Sequence, residues 1–211
     1  MDNIIIIGAG AFGHELADFV TESIENGKLK GSFGGFLDDN LTRYDHREWR
    51  FLGGLDSYSP KSNDRFLISV GTPASREMLL QRVLAKQGTL MTFVHPLANV
   101  SKYATIMSGS IIGPYATISY DAKIGQNVML NSYAAVGHHS IVGDNTVICP
   151  KCLVAGECNI GRSVFIGSSV TIVPKIVVGE GAKLAAGSVV FRNVRANMLA
   201  AGNPAKQHNP I

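Results

Sequence analysis

Charge is scarce in this chain: charged side chains make up 17% of 211 residues and the net charge is +3. Lys and Arg are scattered without a dense basic run, so the electrostatic footprint of a nucleic-acid-binding domain is missing. Long apolar runs are also absent. The longest aliphatic stretch near the N-terminus, Ile4 to Ile7, is far shorter than the roughly 20 residues of a membrane span. No signal-peptide n-region precedes it, so neither a membrane role nor export is expected, and the expected location is the cytoplasm. Cysteine is rare and odd in number, with Cys149, Cys152 and Cys158, which argues for reduced thiols rather than a disulfide framework. What the chain does have is 23 glycines and 45% hydrophobic residues, a balance that favours β-rich architecture with tight turns.

A short repeat supplies the fold. Stepping by six from Val94 through Val100, Ile106 and Ile112 to Val190 meets an aliphatic residue every time. Four residues after each comes a small or β-branched one, including Ala98, Ser110, Ser140, Cys152, Cys158 and Ser188. A fixed short period implies a solenoid, here a parallel β-helix whose aliphatic residues point inward. Cys152 and Cys158 fall in the small-residue series, so packed thiols explain them better than a metal site, and no metal is expected.

The residues before the repeat alternate strand and helix signals. Ile4–Ile7 reads as a buried strand, followed by Gly8-x-Gly10-x-x-Gly13 and a helix through Leu16, Phe19, Val20 and Ile24 that stops at Asn26-Gly27. A second strand ends in Asp38-Asp39. A third, Phe66–Val70, ends in Gly71-Thr72-Pro73 before a helix through Leu79, Leu80, Val83 and Leu84. This is a Rossmann-like βαβ unit whose glycines would bring a phosphate to a helix N-terminus. It is too small for a full dinucleotide fold, so a mononucleotide or nucleotide-sugar is expected. The expected division is 1–88 for nucleotide-sugar binding, 89–190 for the β-helix and 191–211 for a tail.

These hexads, with the Gly-rich module, the Phe-Leu-Asp-Asp strand end, Val-Gly-Thr-Pro, His95-Pro96 and the tail Ala201-Gly202-Asn203-Pro204-Ala205-Lys206, resemble the hexapeptide-repeat sugar acetyltransferases of the NeuD/PglD type. The resemblance implies a left-handed β-helix, acetyl-CoA as acyl donor and a homotrimer with sites between subunits. It implies acetylation of the amino group of a nucleotide-linked 4-amino-4,6-dideoxy sugar. O-acetylation of sialic acid or another glycan sugar, and non-catalytic binding of a nucleotide-sugar, are the alternatives.

Acetyl transfer needs a base and an oxyanion donor. Of six histidines, His208 lies in the tail, His46 in a polar connection, His95 before Pro96 and His14 in the glycine loop. The resemblance gives the base to His138 in Val136-Gly137-His138-His139-Ser140-Ile141, and Gly156, eighteen residues on, is expected to offer its N–H to the thioester carbonyl. The family places a carboxylate beside this His, where this chain has His139. Asp121 and Glu157, eighteen residues either side of His139, are expected in its column, with Glu157 as substitute partner. Substrate contacts are expected from Gly10, Ala11, Phe12, Gly13, His14, Asp38, Asp39, Gly71, Asn131 and His139. By matching position, Val147, Ser168 and Ala186, with Gly156, would line the pantetheine arm, and Asn203, Pro204 and Lys206 the nucleotide end of CoA.

Overall fold

The computed structural model describes residues 1–40 and 49–209; His46 lies outside them. The N-terminal unit is a three-stranded parallel sheet of β1 (Asn3–Ile7), β2 (Ser32–Leu37) and β3 (Asp64–Ile68), in the order β2-β1-β3. Two helices, α1 (Ala11–Glu25) and α2 (Pro73–Ala85), cover it. Successive strand side chains face opposite sides, so Ile4 and Ile6 pack with Leu16 and Val20 of α1, while Ile5 and Ile7 pack with Leu79, Leu80 and Val83 of α2. That double cover explains why β1 is an unbroken isoleucine run. α1 ends where Gly27 turns to φ 67° and the Lys28 N–H reaches back to the Ser23 carbonyl. The third strand stops at Ile68, short of the expected Val70. There Ser69 Oγ donates to the carbonyls of Ile7 and Gly8, which leaves Val70 free to line a cleft.

Residues 89–91 still belong to this sheet, since the Phe66 N–H bonds to the Thr89 carbonyl and the Met91 N–H to that of Phe66. Two-residue strands then follow at six-residue steps, from β4 (Phe93–Val94) to β20 (Val189–Val190). Each pairs in parallel with the strand eighteen residues away, so three faces build up as a left-handed β-helix of about 6 turns. Its interior holds the expected aliphatic series from Ile112 onward. Val94, the first of that series, is instead 39% exposed, because no coil lies beneath it and the adjacent Phe93 enters the N-terminal core. Hydroxyls and thiols of the small-residue series are satisfied within the wall: Ser140 Oγ donates to the Ala155 carbonyl and Cys152 Sγ to that of Gly167. Burial raises the thiol pKa of Cys152 to about 11, so it is an inert packed thiol.

The N-terminal unit lies on one face of the prism. Phe93 and Ile111 point outward from that face into the core containing Ile4, Leu16 and Phe36. Arg76 of α2, fully buried, clamps the units: its Nε and Nη2 donate to the carbonyl and Oδ1 of Asn127, and Nη1 donates to the Ile68 and Val70 carbonyls. Asn127 in turn donates to Asn145. The residues after 190 are not an extended tail. β21 (Leu199–Gly202) pairs with Lys183–Leu184 and continues the covered face, and β22 (Ala205–His208) folds back antiparallel.

Candidate active site

The glycine loop shapes a cleft of about 330 Å³ lined by Gly8, Gly10, Ala11, Phe12, Gly13, Asp38, Ser69, Val70, Gly71, Thr72 and Ser75. Its glycines do different work. A Cβ on Gly13 would stand on the Gly8 carbonyl, and Gly8 has φ +109°, so these two are required by packing and backbone. Gly10 has φ −79° and a Cβ there would meet nothing within 4 Å. Nothing in the chain itself demands glycine at that position, which keeps the cleft open. Gly10 and Thr72 are also the N-caps of α1 and α2, neither with a side-chain cap bond and neither helix with an acid in its first turn. Two helix N-termini therefore present amide hydrogens to one cleft, an arrangement suited to phosphate.

The acids at the end of β2 shape this region. Asp38 accepts from the Ala9 and Asn40 N–H groups at 2.8 Å each. Asp39 accepts from the Leu55 N–H and from Arg82, at 3.0 and 2.6 Å, and lines an adjoining cleft of about 280 Å³ with Asp38 and Arg82. The hydrogen bond from Arg82 holds the Asp39 carboxyl below its usual range. His14, expected to touch substrate, is not in the cleft wall. Its Nδ1 meets the Gly10 carbonyl at 3.1 Å and its ring packs 4.9 Å from Phe36 and 5.9 Å from Trp49, on the side of the helix that faces the sheet. Ser69, Val70, Thr72 and Ser75 line the cleft without having been singled out. Ser75 could have been found as a first-turn polar residue of the second helix.

His138 lies at the corner between β11 (Ala135–Val136) and β12 (Ile141–Val142), strands of the two faces that the N-terminal unit leaves bare. It is exposed, and its imidazole lies against Gly156 of the next coil, where a Cβ would stand 2.5 Å from Nε2. Among the described residues, neither His138 Nε2 nor the Gly156 N–H has a hydrogen-bond partner, so an open imidazole nitrogen and an open amide donor sit together at one edge. Asp121, His139 and Glu157 stack in one column with left-handed φ of 53°, 57° and 61°. Glu157, however, points up that column to Lys175 Nζ at 3.8 Å, and no carboxylate among the described residues bonds either imidazole. Nδ1 of His138 instead meets Nδ1 of His139 at 3.0 Å.

The remaining expected residues do not join this corner within one chain. Asn131 Oδ1 accepts the Ser132 N–H at the preceding corner, where exposed Ser168 and Ala186 also lie. One hexad moves the chain by one corner of the triangle, so a residue six positions from Gly137 cannot neighbour it. Val147 is 0% exposed, in the same outward row as Phe93 and Ile111, and an enclosed side chain has no surface for a pantetheine arm. Asn203 sits at the tip of the closing hairpin, and Pro204 and Lys206 line a cleft of about 470 Å³ with Phe191 and Arg192. Arg192 lies in the His138 column three coils up, about 14 Å along the prism.

The bacterial transferase hexapeptide repeat matches residues 121–156 and 157–192, and the PglD N-terminal domain matches residues 3–83. A GDP-perosamine N-acetyltransferase of Escherichia coli O157:H7 is 29% identical over 96% of this chain and 94% of its own length. A putative acetyltransferase of Saccharomyces cerevisiae is 48% identical over only 48 residues, about a quarter of each chain. The acetyltransferase domain of PglB from Neisseria gonorrhoeae superposes with a TM-score of 0.88 at 24% identity, covering 99% of this chain and 100% of that one. PerB from Caulobacter crescentus, solved with CoA and GDP-perosamine, superposes at 0.84 and 23% identity, covering 99% and 98%. The chain therefore joins a PglD N-terminal domain to bacterial transferase hexapeptide repeats, in a fold shared over its full length with these solved structures.

Proposed function

We propose that this protein transfers the acetyl group of acetyl-CoA to the amino group of a nucleotide-linked 4-amino-4,6-dideoxy sugar, by direct attack in a ternary complex. The observation that carries the reading is the pairing of His138 Nε2 with the open Gly156 N–H. His138 takes the amine proton as nitrogen attacks the thioester carbon, and the Gly156 amide receives the charge growing on the carbonyl oxygen. Collapse expels the CoA thiolate, which takes from His138 the proton that the amine gave up. The full-length relative named for GDP-perosamine N-acetylation supports an amine acceptor.

The two halves of the site belong to different subunits in this reading. The glycine-loop cleft rides on one face of the prism and His138 occupies the opposite corner, so a single chain cannot bring one substrate to both. A closed threefold ring gives each corner a neighbour, from which the glycine-loop cleft and the Ser168–Ala186 corner are supplied. Lys206 and Arg192 suit the phosphates of CoA, at a distance along the prism that a pantetheine arm spans.

The test is thiol release from acetyl-CoA against nucleotide-linked 4-amino sugars, their 4-hydroxy counterparts and free sialic acid. Turnover confined to the amines is expected. Turnover of hydroxyl acceptors alone, or silence across the panel, would overturn the reading.

A further inference from the structure

We infer that His139 is the positioning residue that sets the tautomer of His138, through the lone pair on its own Nδ1. The inference rests on the reading of His138 as the base. Two imidazole nitrogens at 3.0 Å need one N–H and one lone pair between them, since two of either kind repel. A neutral His138 that accepts a proton at Nε2 carries its own hydrogen on Nδ1. His139 Nδ1 is therefore the acceptor, and His139 carries its hydrogen on Nε2.

The surroundings hold the His139 ring for this task. Its backbone is left-handed at φ 57°, and its N–H donates to the Tyr120 carbonyl of the preceding coil at 3.0 Å. Its ring packs edge-on against Tyr120 at 5.6 Å, and Tyr120 leans on Tyr103 at 5.0 Å. Charged and titratable groups around the pair are Asp121 below, Glu157 above with Lys175 on it, Tyr103 and Tyr120 alongside, and Lys102 over the Tyr103 ring. None of them is hydrogen-bonded to Nδ1 of His138.

The proton count is simple. The amine proton moves to His138 Nε2, the Nδ1–H···Nδ1 bond becomes charge-assisted, and the proton then leaves with the CoA thiolate. His139 gains and loses nothing. A protonated His139 has no lone pair at Nδ1 and would force His138 into the wrong tautomer. The base therefore works only while His139 keeps that lone pair facing His138.

Nitrogen-15 NMR of the histidine rings in the intact protein should find the neutral-state hydrogen on Nδ1 of His138 and on Nε2 of His139. His139→Ala should lower kcat roughly tenfold or more, with little change in the KM for acetyl-CoA. His139→Glu, which supplies a carboxylate acceptor at the same position, should restore kcat. A bare Nδ1 on His138, or a His139→Ala enzyme with the parent kcat and pH profile, overturns the inference. Full activity of His138→Ala would instead remove the base reading itself, an outcome distinct from an inert His138→Ala beside an unaffected His139→Ala.

Discussion

The imidazole of His138 occupies the space that a side chain on Gly156 would fill: a Cβ there would stand 2.5 Å from Nε2 and 2.6 Å from Cε1. Gly156 is not among the residues with positive φ, so the demand for glycine is steric and comes from the next coil down. Gly156→Ala should leave the prism folded, as read by circular dichroism and melting temperature. It should lower kcat at least about tenfold by swinging the imidazole away from the amide. Unchanged kcat would show that His138 does not work over Gly156.

His138→Ala should lower kcat by about 10² to 10⁴ and leave stability near the parent value, because the side chain is exposed. Gly10→Val should silence the enzyme at low nucleotide-sugar concentration by a different route. A Cβ there meets nothing within 4 Å, so the side chain takes up open cleft space and the KM for the nucleotide-sugar should rise far more than that for acetyl-CoA. Because the cleft and His138 lie on opposite sides of one chain, unfolding and refolding the two inactive variants together should recover about one working site in four, as random mixing in a ring requires. Absence of recovery in a mixed trimer would place both halves in one subunit.

Asp39 is held ionised chiefly by the Arg82 hydrogen bond, so its folded-state pKa is depressed. Its stabilising contribution is fully present above the unfolded value of about 3.9 and is lost as pH falls through the lower folded value. The carboxylate side chain is 53% exposed, which limits the pair to about 0.5 kcal/mol after solvent screening. Asp39→Asn should cost that amount at neutral pH in urea titrations, and the difference from the parent should fade below about pH 4. It should also raise the KM for the nucleotide-sugar, since Arg82 and Asp39 form one wall of the second cleft.

Arg76 is fully buried, and desolvation pulls its guanidinium down to about 9. It remains charged at neutral pH with carbonyl and amide oxygens as its partners. Arg76→Leu strands the acceptors of Asn127, Ile68 and Val70 and should destabilise the protein by about 3 kcal/mol or more, measured by denaturant unfolding. The variant should lose the single cooperative transition as the N-terminal unit separates from the β-helix. A two-state curve with the parent midpoint would show that Arg76 does not join the units.

The sequence by itself determined the β-helix, because a residue's inward or outward direction in a six-residue repeat depends on its place in the repeat and nothing else. It likewise determined the order of the N-terminal elements, through the isoleucine run, the glycine loop and the helix stop at Asn26-Gly27. It also put Gly156 beside His138, since eighteen residues make one coil. Tertiary structure decided what depends on side-chain direction and on which face is covered. Glu157 shares the His139 column yet turns to Lys175, a choice of rotamer and partner that spacing cannot express. Val147 fits the repeat as well as Leu153 does, but only Val147 lies on a covered face. Arg76 reads as an ordinary helical arginine until its buried contact with Asn127, 51 residues away, appears. The hydrogen bond between His138 and His139 has the same origin: adjacent residues at a corner meet only because His139 is left-handed and its ring is braced by the coil below.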